Sequence, residues 1–146
     1  MHFVTLDNVS DPKGALGDAQ LAWLEKDLAL VPPATPLVVF AHRPLFELMK
    51  EWDWFTADGD RALAILQKRS NVTVFYGHIH QEHHFRTGRV AHHAARSLIF
   101  PQPVAGSVPQ KAPVPWDPSS PDHGLGWRSV ALSQSPEPSI TEFPFR

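Results

Sequence analysis

The sequence predicts an α/β fold in which a mainly parallel sheet is followed by an antiparallel β region. Two observations predict this fold. In the first half, apolar runs of strand length alternate with segments whose apolar residues have helical spacing, and the composition changes near residue 100. The chain has 146 residues, about the length of one domain, and 42% of them are apolar, which is enough to bury a core. We therefore expect one domain over residues 1–146.

The first half of the chain alternates strands and helices. Residues 2–6 have the pattern of a short buried strand. Asp18 is a good helix N-cap, and the leucines that follow it up to Val31 have helical spacing. Residues 36–41 are a continuous apolar run, which is typical of a strand buried on both faces.

The same alternation continues after residue 41. Residues 45–57 hold two tryptophans and two phenylalanines and predict a packed loop or a short helix. A second helix is expected from about Asp60 to residues 69–70, and residues 72–76 form the next buried strand. A helix between two buried strands predicts that the strands are parallel neighbours.

The second half predicts a different architecture. Residues 82–87 and 89–94 are expected to form a hairpin. Residues 101–122 contain seven prolines and predict an extended loop, while residues 126–132 and 139–143 predict two final strands.

Charge and composition exclude several classes of function. Lys and Arg number 13 and Asp and Glu 15, a net charge of −2, which argues against a surface for nucleic acid or anionic membranes. The absence of cysteine excludes disulfides, thiolate zinc sites and cysteine nucleophiles. No apolar run approaches about 18 residues, and the first residues lack the pattern of a signal peptide, so a cytoplasmic location is the default expectation. The lack of cysteine fits an exported protein as well.

Histidines follow two of the predicted buried strands. His42 follows residues 36–41, and Gly77-His78-Ile79-His80 follows residues 72–76. Ligands of parallel α/β sheets bind beyond the carboxyl ends of the strands. If the chain stays extended there, His78 and His80 point the same way. A single histidine at a strand end is usually a surface residue, but three at one sheet edge predict a site for Zn, Mn or Fe.

Three stretches resemble the calcineurin-like metallophosphoesterases. Residues 38–44, with the sequence VVFAHRP, and residues 77–80, with the sequence GHIH, are similar to the last two motifs of that family. Residues 16–24 resemble the Gln-Leu-x-Trp-Leu helix that precedes the lone histidine in its cyclic-nucleotide and purple-acid-phosphatase-like branches. The resemblance covers about residues 2–100. It implies an αββα sandwich of two mixed sheets and hydrolysis of phosphomonoesters or phosphodiesters by a metal-activated water.

The resemblance also implies a set of ligands. His42 and His78 would hold one metal and His80 another, with Mn, Zn, Fe or Ni as the ions. In such a centre two ions about 3.5–4 Å apart polarise the phosphoryl oxygens of the substrate.

The earlier carboxylate motifs of the family are absent. The chain contains no Asp-x-His, Gly-Asp-x-x-Asp or Gly-Asn-His-Asp/Glu motif, so it resembles only the C-terminal half of such an enzyme. We therefore expect either one or two ions, and association with a second copy or with a missing N-terminal half. A half-sandwich would leave an apolar face exposed where the missing half packs. An alternative to association is that the Pro-rich segment, residues 101–122, folds over this face. A non-catalytic, histidine-rich protein that binds Ni, Cu or Zn is the second hypothesis of function.

Other polar residues are candidates for supporting roles, and no catalytic side chain is assigned. Candidate accessory groups at the metal site, with an exposed polar turn or hairpin as the alternative, are Asp7, Glu82, His84, His92 and His93. Arg43 and Arg96 are candidates for bidentate contacts to phosphate. Four tryptophans are candidates for a cleft wall, although packing is the default for such side chains: Trp52, Trp54, Trp116 and Trp127.

Overall fold

The structure is a computed structural model that describes residues 1–132 and 137–145. It contains two α-helices, α1 (Gly17–Ala29) and α2 (Gly59–Leu66), and a short 3-10 helix at Lys50–Trp52. The strands are β1 (His2–Leu6), β2 (Leu37–Ala41), β3 (Val72–Tyr76), β4 (His83–Thr87), β5 (Val90–Ala94), β6 (Gly126–Ala131) and β7 (Ser139–Pro144).

The strands form one mixed sheet and one hairpin. The five-stranded sheet has the order β1-β2-β3-β5-β4, in which only β4 is antiparallel to its neighbour. Strands β6 and β7 pair with each other in an antiparallel hairpin. The prediction of an α/β fold with parallel strands followed by antiparallel β structure is confirmed.

The first helix is capped differently from the sequence-based prediction. Helix α1 begins at Gly17, so Asp18 lies in its first turn, where the carboxylate pairs with Arg61 at 2.7 Å. The amides of Leu16 and Gly17 instead donate to the carboxylate of Asp58, both at 2.8 Å. The prediction that Asp18 is the N-cap is therefore wrong, because a side chain that precedes α2 accepts these hydrogen bonds.

The main core lies between the two helices and one face of the sheet. Alternate residues of β1, β2 and β3 point toward the helices, among them Val4, Val39 and Val74, which are almost completely buried. Leu24 of α1 and Leu66 of α2 pack into the same cluster and are fully buried. The core-facing residues of the helices recur about every 3.6 residues, and those of the strands recur every second residue.

The opposite face of the sheet is only partly covered. The hairpin β6–β7 packs against this face, and Arg128 donates to the carbonyl of Ala94 at 2.6 Å. Phe3 and Phe40 nevertheless remain 53% and 43% exposed. The expectation that a second copy or an N-terminal half associates with the chain stays a prediction, and this apolar surface is where we expect the contact.

The Pro-rich segment, residues 101–122, contains no helix or strand, as expected. It packs near the carboxyl ends of the strands, where Lys111 donates to the carbonyl of Trp52 and Gln81 donates to the carbonyl of Gln102. Strand residues and Leu132 line the hollow over Phe3 and Phe40. The alternative in which residues 101–122 cover that face is therefore wrong.

No helix in the described part of the chain is long and apolar enough to cross a membrane.

His92 is an unusual core residue, because it is completely buried and polar. The centroid of its ring lies 5.0 Å from the ring centroid of Phe46 and 6.4 Å from that of Phe85. Neither ring nitrogen has a hydrogen-bond partner among the described residues. Burial, aided by nearby cationic groups, lowers the pKa of His92 from 6.5 to about 4, so the ring is neutral at pH 7.

We expect His92→Leu to raise the free energy of unfolding by about 1–3 kcal/mol at pH 7, because leucine removes two unpaired polar atoms from the core. Between pH 6.5 and pH 4 the unfolded chain binds a proton that the folded His92 does not, so acid destabilises the wild type. The variant should lose less stability from pH 7 to pH 5. Urea unfolding followed by circular dichroism at both pH values measures this. A less stable variant with an unchanged pH dependence would contradict the expectation.

Candidate metal centre

His42 and His78 meet at the carboxyl ends of two parallel strands. Strand β2 ends one residue before His42, and β3 ends two residues before His78. The amide of Gly77 donates to the carbonyl of His42 at 2.9 Å, which joins the two loops. As a result Nδ1 of His78 lies 3.1 Å from Nε2 of His42.

The backbone after β3 is tightly turned. His78 and His80 have φ values of 65° and 54°, in the left-handed region that a residue with a Cβ rarely adopts. Between them, Ile79 is fully buried in a cluster that includes Trp52 and Trp54. The prediction that this stretch is extended is wrong, because burial of Ile79 bends the chain on both sides.

A backbone carbonyl orients His78. Its Nε2–H donates to the carbonyl of Asp53 at 3.0 Å, so Nδ1 carries the lone pair that faces His42. Asp53 itself has a φ of 61°, and its carboxylate pairs with Arg43. Two nitrogens that bind one tetrahedral zinc ion at about 2.0–2.1 Å are roughly 3.3–3.4 Å apart, close to the separation seen here.

A different carbonyl orients His80. Its Nδ1–H donates to the carbonyl of Phe100 at 2.9 Å, and the two rings lie 4.5 Å apart. This leaves Nε2 of His80 as the free ligand atom. In the described part of the chain, His80 does not form a three-ligand cluster within 4.8 Å with His42 and His78.

Both paired histidines are held neutral. Burial, together with the neighbouring His42 and Arg43, lowers the pKa of His78 from 6.5 to about 4. Burial and Arg43 also lower the pKa of His42. Metal ions bind neutral imidazole, so both side chains have the required charge at pH 7. Because Nδ1 of His78 accepts from Nε2–H of His42, metal binding would also move the His42 proton from Nε2 to Nδ1.

Asn8, which directly follows Asp7 after β1, fixes the loop that carries His42. Its Oδ1 accepts from the amides of His42 and Arg43, both at 3.1 Å. Its Nδ2 donates to Thr56 Oγ1 at 2.8 Å and to the carbonyl of Arg43 at 3.1 Å. Sequence reasoning missed this role, and the only signal for it was a polar residue at the carboxyl end of a buried strand.

Asp7 forms the local turn that sequence reasoning gave as its alternative role. Its Oδ1 accepts from the amides of Val9 and Ser10 at 2.9 and 3.0 Å. Hydrogen bonds from Ser10, followed by that of Val9, lower the pKa of Asp7 from 3.8 to about 2. These contacts turn the carboxylate toward its own loop.

The two candidate phosphate-binding arginines are engaged in ion pairs. Arg43 pairs with Asp53 and is largely buried, and Arg96 donates to Glu82 at 3.1 and 3.2 Å. Their contact with phosphate stays a prediction. It requires that each guanidinium group either leaves its carboxylate partner or binds phosphate and carboxylate at the same time.

A second cluster lies between the main sheet and the hairpin β6–β7. Glu82, His84 and Glu142 offer ligand atoms within 4.8 Å of one another. Across β4 and β5, Nδ1 of His84 lies 2.7 Å from Nδ1 of His93. Burial lowers the pKa of His93 to about 4, so its ring is neutral at pH 7 and shares one hydrogen bond with His84.

Arginines balance the charge of this second cluster. Arg96 pairs with Glu82, and Arg128 pairs with Glu142, so the two carboxylates carry no excess negative charge. His92, the neighbour of His93, lies on the other face in the main core. The accessory candidates thus lie in three different places. Asp7 forms its own turn, Glu82, His84 and His93 lie in this second cluster, and His92 lies in the core.

We expect Asn8→Ala to lower the free energy of unfolding by about 1–3 kcal/mol, because it leaves buried amides without an acceptor. The loss of position at His42 should also weaken zinc binding by about 10–100-fold, as for other groups that orient a ligand. Chemical unfolding and isothermal titration with Zn²⁺ measure the two effects. Ser10→Ala, in the exposed turn beside it, is the control. Wild-type zinc affinity in a folded Asn8→Ala variant would contradict the role of Asn8.

Comparisons with known proteins give partial structural matches. No family model and no curated protein matches the chain. A solved structure of a dimetal phosphatase from Danio rerio is similar to it, with a TM-score of 0.48 and 18% sequence identity. The match covers 55% of this chain and 26% of that chain, so the matched part spans about a quarter of that chain's length.

Proposed function

We propose that the chain, as one domain over residues 1–146, has the fold of the C-terminal half of a calcineurin-like sandwich and acts in metal-dependent hydrolysis of phosphate esters. One observation carries the proposal: neutral His42 and His78 meet at the carboxyl ends of adjacent parallel strands, with ligand nitrogens 3.1 Å apart. The motifs around these residues support the same family.

The histidines fit a divalent transition metal such as Mn, Zn, Fe or Ni. His42 and His78 would hold one ion, and His80, whose free Nε2 lies outside that pair, would contribute to a second. When bound, such an ion polarises a phosphoryl oxygen and makes water a better nucleophile at neutral pH.

The protein's own groups hold these ligands in place. Asn8 fixes the backbone of His42, and the carbonyl of Asp53 sets the tautomer and orientation of His78. The carbonyl of Phe100 does the same for His80. Such outer hydrogen bonds are typical of histidines that ligate metals, because they fix the ring and direct its lone pair.

The proposal requires a carboxylate from beyond the paired histidines. In the described residues, no carboxylate forms a three-ligand cluster with His42 and His78 within 4.8 Å. An associated N-terminal half or a second copy is the expected source, and the partly exposed face around Phe3 and Phe40 is the expected contact surface.

We expect the purified chain with added Mn²⁺, Zn²⁺ or Ni²⁺ to hydrolyse bis-(p-nitrophenyl) phosphate, and His78→Ala to remove at least nine-tenths of the metal-stimulated rate. The reason is that this variant removes one of the two converging nitrogens. Release of p-nitrophenol at 405 nm, with the assay at about pH 8, measures the rate.

The matched control for this assay is His2→Gln. It also removes one histidine, but from the amino end of β1, where His2 pairs with Asp27 at 2.6 Å. It should retain the wild-type rate. An equal metal-stimulated rate in wild type and His78→Ala would contradict the proposal.

A non-catalytic metal-binding protein is the second candidate function. The observation that favours it is the same lack of a carboxylate beside the histidine pair, since imidazoles alone bind Ni, Cu or Zn without catalysing hydrolysis. It predicts zinc binding that His42→Ala and His78→Ala both weaken, with no hydrolysis in any variant. Calorimetry beside the hydrolysis assay separates the two functions.

A further inference from the structure

A cavity of about 370 Å³ is lined by the Pro-rich segment, residues 101–122, and by residues that directly flank it. Its volume is within the range of small-molecule sites, about 300–1,000 Å³. Its walls are mainly apolar, and aromatic and proline rings supply much of them: Phe100, Pro101, Pro115, Trp116 and Pro121. The function of the metal centre does not by itself explain this cavity.

The cavity shares a wall with the metal centre. Phe100, which lines it, packs its ring 4.5 Å from that of His80 and accepts the His80 Nδ1–H at 2.9 Å. Phe100 therefore contacts both the cavity and His80. A phosphate at the histidines and an organic group in the cavity can belong to one small molecule.

Trp116 gives the cavity a preference for aromatic groups. The Trp116 side chain is 72% exposed although it lines the cavity, so much of its ring has no covering contact. Aromatic rings stack on tryptophan, and such aromatic pairs gain affinity beyond that of area burial.

Asp117 sets the charge that the cavity accepts. Asp117 lines the wall together with His123, and its carboxylate accepts from the amide and the hydroxyl of Ser119 at 2.8 and 2.7 Å. A second phosphate in the cavity would face this negative charge. The cavity therefore suits an uncharged or cationic aromatic group.

We propose that this cavity binds the aromatic alcohol group of a phosphate ester whose phosphate lies at the edge formed by His42, His78 and His80. This inference rests on the proposed function for the position of the phosphate. The cavity itself is a property of the described chain and is tested separately below.

The first experiment measures binding without metal. The full chain is labelled with 5-fluorotryptophan, which gives signals from five tryptophans, and the Trp116 signal is assigned by its loss in Trp116→Phe. Benzyl alcohol and benzyl phosphate should shift the Trp116 signal in a saturable way, whereas ethyl phosphate should not. An unshifted Trp116 signal, or an equal shift with ethyl phosphate, would overturn the proposal.

The second experiment compares hydrolysis of benzyl phosphate and ethyl phosphate with added Mn²⁺. The two leaving alcohols have similar acidity, so the ratio of kcat/KM values reports on binding of the organic group. Trp116→Ala should lower kcat/KM for benzyl phosphate by about threefold to tenfold and leave ethyl phosphate unchanged. Trp23→Ala, which removes an exposed tryptophan from α1, is the control.

The two experiments separate the cavity from the catalytic proposal. If neither ester is hydrolysed but benzyl phosphate shifts the Trp116 signal, the aromatic site stands and the hydrolytic function fails. If both esters are hydrolysed and Trp116→Ala changes both rates equally, the hydrolytic function stands and the aromatic site is overturned.

Discussion

The hydrogen bonds of one buried amide, Asn8, hold together the part of the molecule on which the candidate site depends. The side chain accepts from the amides of His42 and Arg43, and it donates to Thr56 and to the Arg43 carbonyl. All its polar atoms are satisfied, so a completely buried polar side chain is compatible with the core. It connects the end of β1 to the loop after β2, and the position of His42 follows from it.

The other two histidines of the candidate site are positioned by contacts that the parallel sheet alone does not provide. The carbonyl of Asp53 orients His78, while the ion pair between Arg43 and Asp53 holds that loop near His42. The carbonyl of Phe100, at the start of the Pro-rich segment, orients His80. The sheet brings the histidines to one edge, and two irregular segments set the direction of their lone pairs. This division is typical of α/β proteins, in which loops carry the chemistry on a rigid scaffold.

The strands and the alternation of helix and strand were predictable, because continuous apolar runs and helical spacing reflect local burial. The position of His42, His78 and His80 at the carboxyl edge was predictable for the same reason. The left-handed conformations around Ile79 were not, since they follow from burial of Ile79 against tryptophans that are distant in sequence. Capping of α1 by Asp58 and orientation of His80 by Phe100 also depend on tertiary contacts. The periodicity of apolar residues along the sequence does not indicate such contacts.

The central claim is that His42 and His78 jointly hold a divalent metal ion. Anomalous diffraction from crystals of the chain grown with Zn²⁺ and measured at the zinc absorption edge tests it most directly. We expect an anomalous peak bonded to Nε2 of His42 and Nδ1 of His78. A peak only at Glu82, His84 and Glu142, or no peak in crystals soaked to saturation, would contradict it.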